Sequence, residues 1–103
     1  MKRMIAGLVS VVFFMAGMIG TAAADAANGE KLAKRWCAAC HLVATDQVRG
    51  STQAPPFSAI AKRQGITAAD IALYLMLPHP KMPDMGLSRS EVADLAVYIS
   101  QQK

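Results

Sequence analysis

The sequence predicts an all-α fold of three to four short helices. Three observations carry that expectation. Two segments open with helix-capping signatures, Thr67-x-x-Asp70 and Ser88-x-x-Glu91. Val92, Leu95, Ala96 and Ile99 recur at helical spacing. No stretch alternates apolar and polar residues as a half-buried strand does, and the chain carries no internal repeat.

The first helix is expected over Asp25 to Arg35. Asp25 is a good N-cap, and Ala26, Ala27, Glu30, Leu32 and Ala33 favour helix. Gly29 interrupts it at a cost of about 1 kcal/mol, which points to close packing against another helix. Leu42 to Ala54 has no sustained period and reads as a loop. Ala54-Pro55-Pro56-Phe57 is then extended, because a residue before proline is pushed out of the α region. Phe57, Ile60 and Ala61 fit a short helical turn ending near Gly65. The helix from Thr67 has Ile66 and Ile71 as a hydrophobic staple and an expected apolar stripe of Ile71, Tyr74, Leu75 and Leu77, stopped by Pro78 and Pro80. The last helix runs from Ser88 to about Gln101, with Leu87 and Val92 as its staple.

Residues 1–24 read as a signal peptide and 25–103 as the folded domain. Lys2 and Arg3 form a basic start, Met4 to Gly20 is apolar or small, and Thr21-Ala22-Ala23-Ala24 offers the small residues a signal peptidase reads. Cleavage is expected after Ala24, or alternatively after Ala26. The apolar run falls just short of the ~20 residues of a spanning helix, which favours cleavage over an uncleaved anchor. The formal charge of +4 is lowered to +2 without Lys2 and Arg3. No basic run exceeds two residues and none is interleaved with aromatics, so nucleic-acid binding is not expected. A domain of about 79 residues is small enough to need a staple, and a cofactor can supply it.

Both cysteines and one of two histidines fall in Cys37-Ala38-Ala39-Cys40-His41. A redox dithiol of this spacing needs a βαβ context that the chain lacks. A structural zinc site needs four ligands, and His41, adjacent to Cys40, is poorly placed to join the same tetrahedron. The third reading is covalent haem attachment, for which C-x-x-C-H is the signature. Two intervening residues let both sulfurs reach the two vinyl groups, and His41 follows as an iron ligand. A second axial ligand would come from Met76, Met82, Met85 or His79. Met76 is expected in a helix core instead. Met82 lies in the proline-stiffened Pro78-His79-Pro80-Lys81-Met82-Pro83 segment and is preferred, with Met85 as its rival.

These residues, with Ala54-Pro55-Pro56-Phe57, Lys81-Met82-Pro83 and Asp94-Leu95-Ala96-Val97-Tyr98-Ile99, make the chain resemble a small bacterial class I c-type cytochrome, monohaem and His/Met ligated. The resemblance spans Asp25 to the C-terminus. It implies the cytochrome c fold, with three to four helices wrapped around one covalently attached haem c. It implies thioethers at Cys37 and Cys40, His41 as the proximal ligand, Met82 as the distal ligand and the Pro55 carbonyl on the other nitrogen of His41. Adjacent Pro55 and Pro56 leave open which carbonyl faces that nitrogen. It also places Gly29 against Leu95 and Tyr98 where the first and last helices cross.

The expected function is one-electron carriage in the periplasm, without an enzymatic activity of its own. The expected partners are redox proteins, a dehydrogenase or cytochrome complex as donor and an oxidase or reductase as acceptor, met by a monomer that is not inserted in a membrane after cleavage. Lys34, Arg35, Lys62, Lys81 and Arg89 are candidates to ring the haem edge and steer acidic partners. Two alternatives are a haem-containing electron-entry subunit of a periplasmic dehydrogenase and a haem sensor or enzyme with a displaceable sixth ligand.

Overall fold

A computed structural model describes residues 23–50, 54–78 and 81–103, and among these it is helical with no strand. Four helices follow in order: α1 (Ala26–Trp36), α2 (Phe57–Ala61), α3 (Ala68–Met76) and α4 (Arg89–Ser100). Met1 to Ala22, most of the expected signal peptide of residues 1–24, and His79 lie outside the described residues.

Helix starts are fixed by local chemistry. The Asp25 carboxylate accepts the backbone N–H groups of Ala27 and Asn28, satisfying two donors that α1 cannot pair internally. Thr67 and Ser88 each form a complete capping box, with Asp70 and Glu91 reaching back to the cap backbone. Asp70 therefore does the full work of the glutamate more usual at that position. Hydrogen bonds from the Thr67 backbone and side chain hold its carboxyl below the usual range. Gly65, with φ +74°, makes the turn between α2 and α3 in a conformation that costs glycine little.

Packing is organised on α4. Each of α1, α2 and α3 packs on α4, and these three do not pack on one another. Val92, Leu95, Ala96, Tyr98 and Ile99 are all buried, and Val97 is half-buried, so Tyr98 and Val97 widen the apolar face as the sequence leads one to expect. At the α1–α4 crossing, Ala33 is fully buried and Gly29 brings the two backbones together. A Cβ at Gly29 would collide with the Asp94 carbonyl and lie 2.8 Å from the Tyr98 Cβ. The glycine thus meets Tyr98 as anticipated, and the backbone of Asp94 beside it.

Helix α3 departs from expectation. Ile71 is its one buried residue, with Leu75 half-buried, whereas Tyr74 and Leu77 are exposed. Leu77 has already left the helix for extended backbone. Met76 was expected in a core, yet it is 54% exposed. It lies one residue beyond Leu75, about 100° around the helix from the side that meets α4.

Candidate functional site

The C-x-x-C-H segment is a tight turn that continues directly from α1. Cys37 is the C-cap, and its carbonyl accepts the N–H of both Cys40 (3.1 Å) and His41 (2.8 Å). Two thiols and an imidazole are thereby presented within one turn of backbone. Both cysteines are free, Cys37 buried and Cys40 exposed. Burial pushes the Cys37 thiol up to about 11, so it is neutral near pH 7.

The turn is held from outside by one amide. Gln47 Oε1 accepts the Val43 N–H at 2.8 Å, and its Nε2 faces the carbonyls of Ala38 (3.0 Å), His41 (2.8 Å) and Arg49 (2.6 Å). The Phe57 N–H donates to the Leu42 carbonyl at 2.9 Å, tying the start of α2 to the residue after His41. Tyr98 donates its hydroxyl to the Val43 carbonyl at 2.6 Å, tying the same segment to α4.

His41 Nδ1 lies 2.6 Å from the Pro55 carbonyl oxygen. A carbonyl can only accept, so Nδ1 carries the proton and Nε2 keeps its lone pair as a potential metal ligand. Pro56, the neighbour that made this pairing ambiguous, instead directs its carbonyl to the N–H groups of Ala59 and Ile60 in α2. The imidazole also stands 5.3 Å from the Phe57 ring, which meets Tyr98 edge-on at 6.4 Å. A row of three rings thus links His41 to the core of α4.

These groups line one cavity of about 680 Å³, within the ~300–1,000 Å³ range of small-molecule and cofactor sites. Cys37, Cys40, His41 and Pro55 contribute to it, as do Met82 and Met85. Phe57, Ile60, Ile66, Ile71, Leu75 and Ile99 make its lining mainly apolar. The set suits a haem: a large apolar ring, two sulfurs at the attachment spacing, an imidazole with an oriented tautomer and two thioethers. Met82 and Met85 are both half-buried and line the same wall space, so the cavity admits either as a ligand. Met76 does not line this cavity; it borders a neighbouring one of about 390 Å³.

Several lining residues were not among the site residues expected from the sequence. Trp36, directly before Cys37, is 41% exposed and carries the Arg35 guanidinium 4.8 Å above its ring. Tyr74 lines the cavity despite its exposure, and Arg63 joins Lys81 there. Of the basic residues expected near the rim, Lys34 is tied to Glu30 at 2.9 Å. That pair raises the affinity of Lys34 for its proton.

Among known families, residues 24–99 match the family described as cytochrome c oxidase, cbb3-type, subunit III. The chain is 43% identical over 93 residues to cytochrome c-552 of Bradyrhizobium diazoefficiens, covering 90% of this chain and 89% of the relative. No solved structure matched. The chain belongs to this c-type cytochrome family: it is a small class I c-type cytochrome of the cytochrome c fold, a haem c protein of electron transfer.

Proposed function

We propose that the protein is a periplasmic one-electron carrier whose haem c is held by thioethers to Cys37 and Cys40 and ligated by His41 and Met82. The observation that carries this reading is one apolar cavity lined together by both thiols, by His41 with its Nδ1 on the Pro55 carbonyl, and by the Met82 loop. The haem, when bound, supplies an iron that gains or loses one electron.

The chain's own residues set the terms of that exchange. The Pro55 carbonyl fixes the tautomer and orientation of His41 and strengthens its donor nitrogen. Pro83 stiffens the backbone beside Met82, so a soft thioether is offered from a short constrained loop. His/Met ligation raises the potential. The apolar lining disfavours extra charge, which acts in the same direction. Residues 1–24 serve as an export signal that delivers the chain where haem is attached. Among the described residues no helix is long and apolar enough to cross a membrane. Trp36, Arg35, Arg63 and Lys81 form an aromatic and basic margin suited to brief encounters with acidic redox partners.

Visible spectra of oxidised and reduced Met82→Ala and Met85→Ala holoproteins test the distal ligand. Met82→Ala is expected to lose the methionine-ligated spectrum and Met85→Ala to keep it; the reverse pattern reassigns the ligand. Rapid, complete binding of carbon monoxide by the ferrous wild type at neutral pH would favour a sensor or enzyme. A second reading, an electron-entry subunit of a larger enzyme, draws on the family's description as an oxidase subunit. It requires that a large partner co-purify at physiological salt.

A further inference from the structure

The half-buried carboxylate of Asp94, on α4, is engaged twice by the start of α1. Its Oδ1 accepts the Asp25 backbone N–H at 2.6 Å, and its Oδ2 accepts the Asn28 side-chain amide at 2.9 Å. Asp25 is therefore used at both ends. Its carboxylate caps α1, while its main-chain nitrogen is held by a side chain 69 residues away. That nitrogen is the atom that would change chemically if the chain were cut between Ala24 and Asp25. Ala23 and Ala24 are exposed and non-helical, as a peptidase substrate must be. Hydrolysis there consumes one water. The Ala24–Asp25 amide bond breaks, Ala24 leaves with a carboxylate, and the Asp25 nitrogen becomes an amine that takes up a proton.

We propose that Asp94 receives the amino terminus created by leader removal: the mature chain begins at Asp25, and its ammonium pairs with the Asp94 carboxylate. This rests on the export reading above and extends it. The alternative cut, after Ala26, would delete the α1 cap and remove the nitrogen that Asp94 holds. A cut after Ala24 keeps every one of these bonds and adds a full positive charge opposite an existing carboxylate.

The local charges favour the ammonium. The Asp94 carboxylate is in contact and the Asp25 carboxylate belongs to the same residue. Glu91, one turn earlier on α4, is occupied with the Ser88 N–H at 3.0 Å, and Glu30 on α1 is paired with Lys34. The positive end of the α1 dipole opposes the charge. A carboxylate in direct contact outweighs that partial charge, so the amine is expected to hold its proton above the ordinary ~7.7–8.0.

The test uses holoprotein exported by a bacterial host. Mass spectrometry of its amino terminus is expected to show a start at Asp25. NMR titration of the α-amine is expected to show proton binding at least about threefold tighter than for a free amine. Asp94→Asn keeps an acceptor for Asn28 but is expected to abolish that tightening, with the haem spectrum unchanged. The raised value also sets a sign: the stability advantage of wild type over Asp94→Asn is fully present below the ordinary amine value and is lost as pH rises through the folded one. A start at Ala27, or a retained leader, overturns the proposal; the retained leader alone also overturns its export premise. A start at Asp25 with an amine that Asp94→Asn does not move overturns the pair and leaves export standing. If Asp94→Asn yields no holoprotein, the wild-type titration decides, and an unshifted amine overturns the pair.

Discussion

The α1–α4 crossing and the cavity side of α3 are built by different rules. At the crossing, protein meets protein: Gly29 touches the Asp94 backbone, Ala33 and Leu95 are fully buried, and Tyr98 spends its hydroxyl on Val43. Along α3, a single residue is buried, while Leu73, Tyr74 and Met76 stay more than half exposed. The first region is specified by close approach and is intolerant of added volume. The second presents Ile71, Tyr74 and Leu75 to the cavity and leaves Leu73 and Met76 on the surface. The difference teaches that one small chain can separate its scaffold from its chemistry, with α4 as the element common to both.

Substitutions that strike only one side of that comparison sharpen it. The largest effect is expected from Cys37→Ser combined with Cys40→Ser, which should abolish covalent haem, read as loss of haem stain on a denaturing gel. If that double variant still carries covalent haem, the attachment assignment is wrong. Gly29→Ala comes next. Alanine should gain about 1 kcal/mol from helix propensity. The clash with the Asp94 backbone should exceed that gain, because overpacking costs about 1–3 kcal/mol and often more against a rigid neighbour. A lower melting temperature with an unchanged haem spectrum is expected; a stabilised variant would show that the crossing is looser than its geometry. Tyr98→Phe should cost about 1–2 kcal/mol in denaturant titration by removing a buried donor from the Val43 carbonyl. The smallest effect is at exposed Asp70. Its lowered carboxyl contributes stability above the usual ~3.9 and loses it as pH falls through the lower folded value. Asp70→Asn should therefore flatten the acid limb of the melting profile, read by thermal unfolding across pH.

What was legible in the sequence was local. Asp25, Thr67 and Ser88 cap helices using atoms within three residues of themselves, so their pattern survives in the linear text. The C-x-x-C-H spacing is local in the same sense, and so is a glycine inside a helix. The unreadable parts depend on contacts between distant segments. Gln47 holds three carbonyls of its own neighbourhood, but nothing periodic marks it among polar loop residues. Asp94 holds Asp25 and Asn28 from the far end of the chain, a pairing that no spacing in the sequence marks. Tyr74, Leu77 and Met76 were misplaced because an apolar residue on a short helix does not say whether its neighbour is protein, cavity or water.

The dependence of α1, α2 and α3 on α4 alone has a consequence for the order in which the chain closes during synthesis. A chain emerging from its amino-terminal end has no helix–helix contact of the final fold until residues 89–100 arrive. Closing the α1–α4 crossing requires a loop of more than fifty residues, and such long-range contacts form late because their entropy must be met first. The Cys37–His41 turn therefore stays accessible until α4 is available for packing, and completion of the carboxy-terminal helix permits closure. Removing that last helix should leave an open chain rather than a trimmed domain.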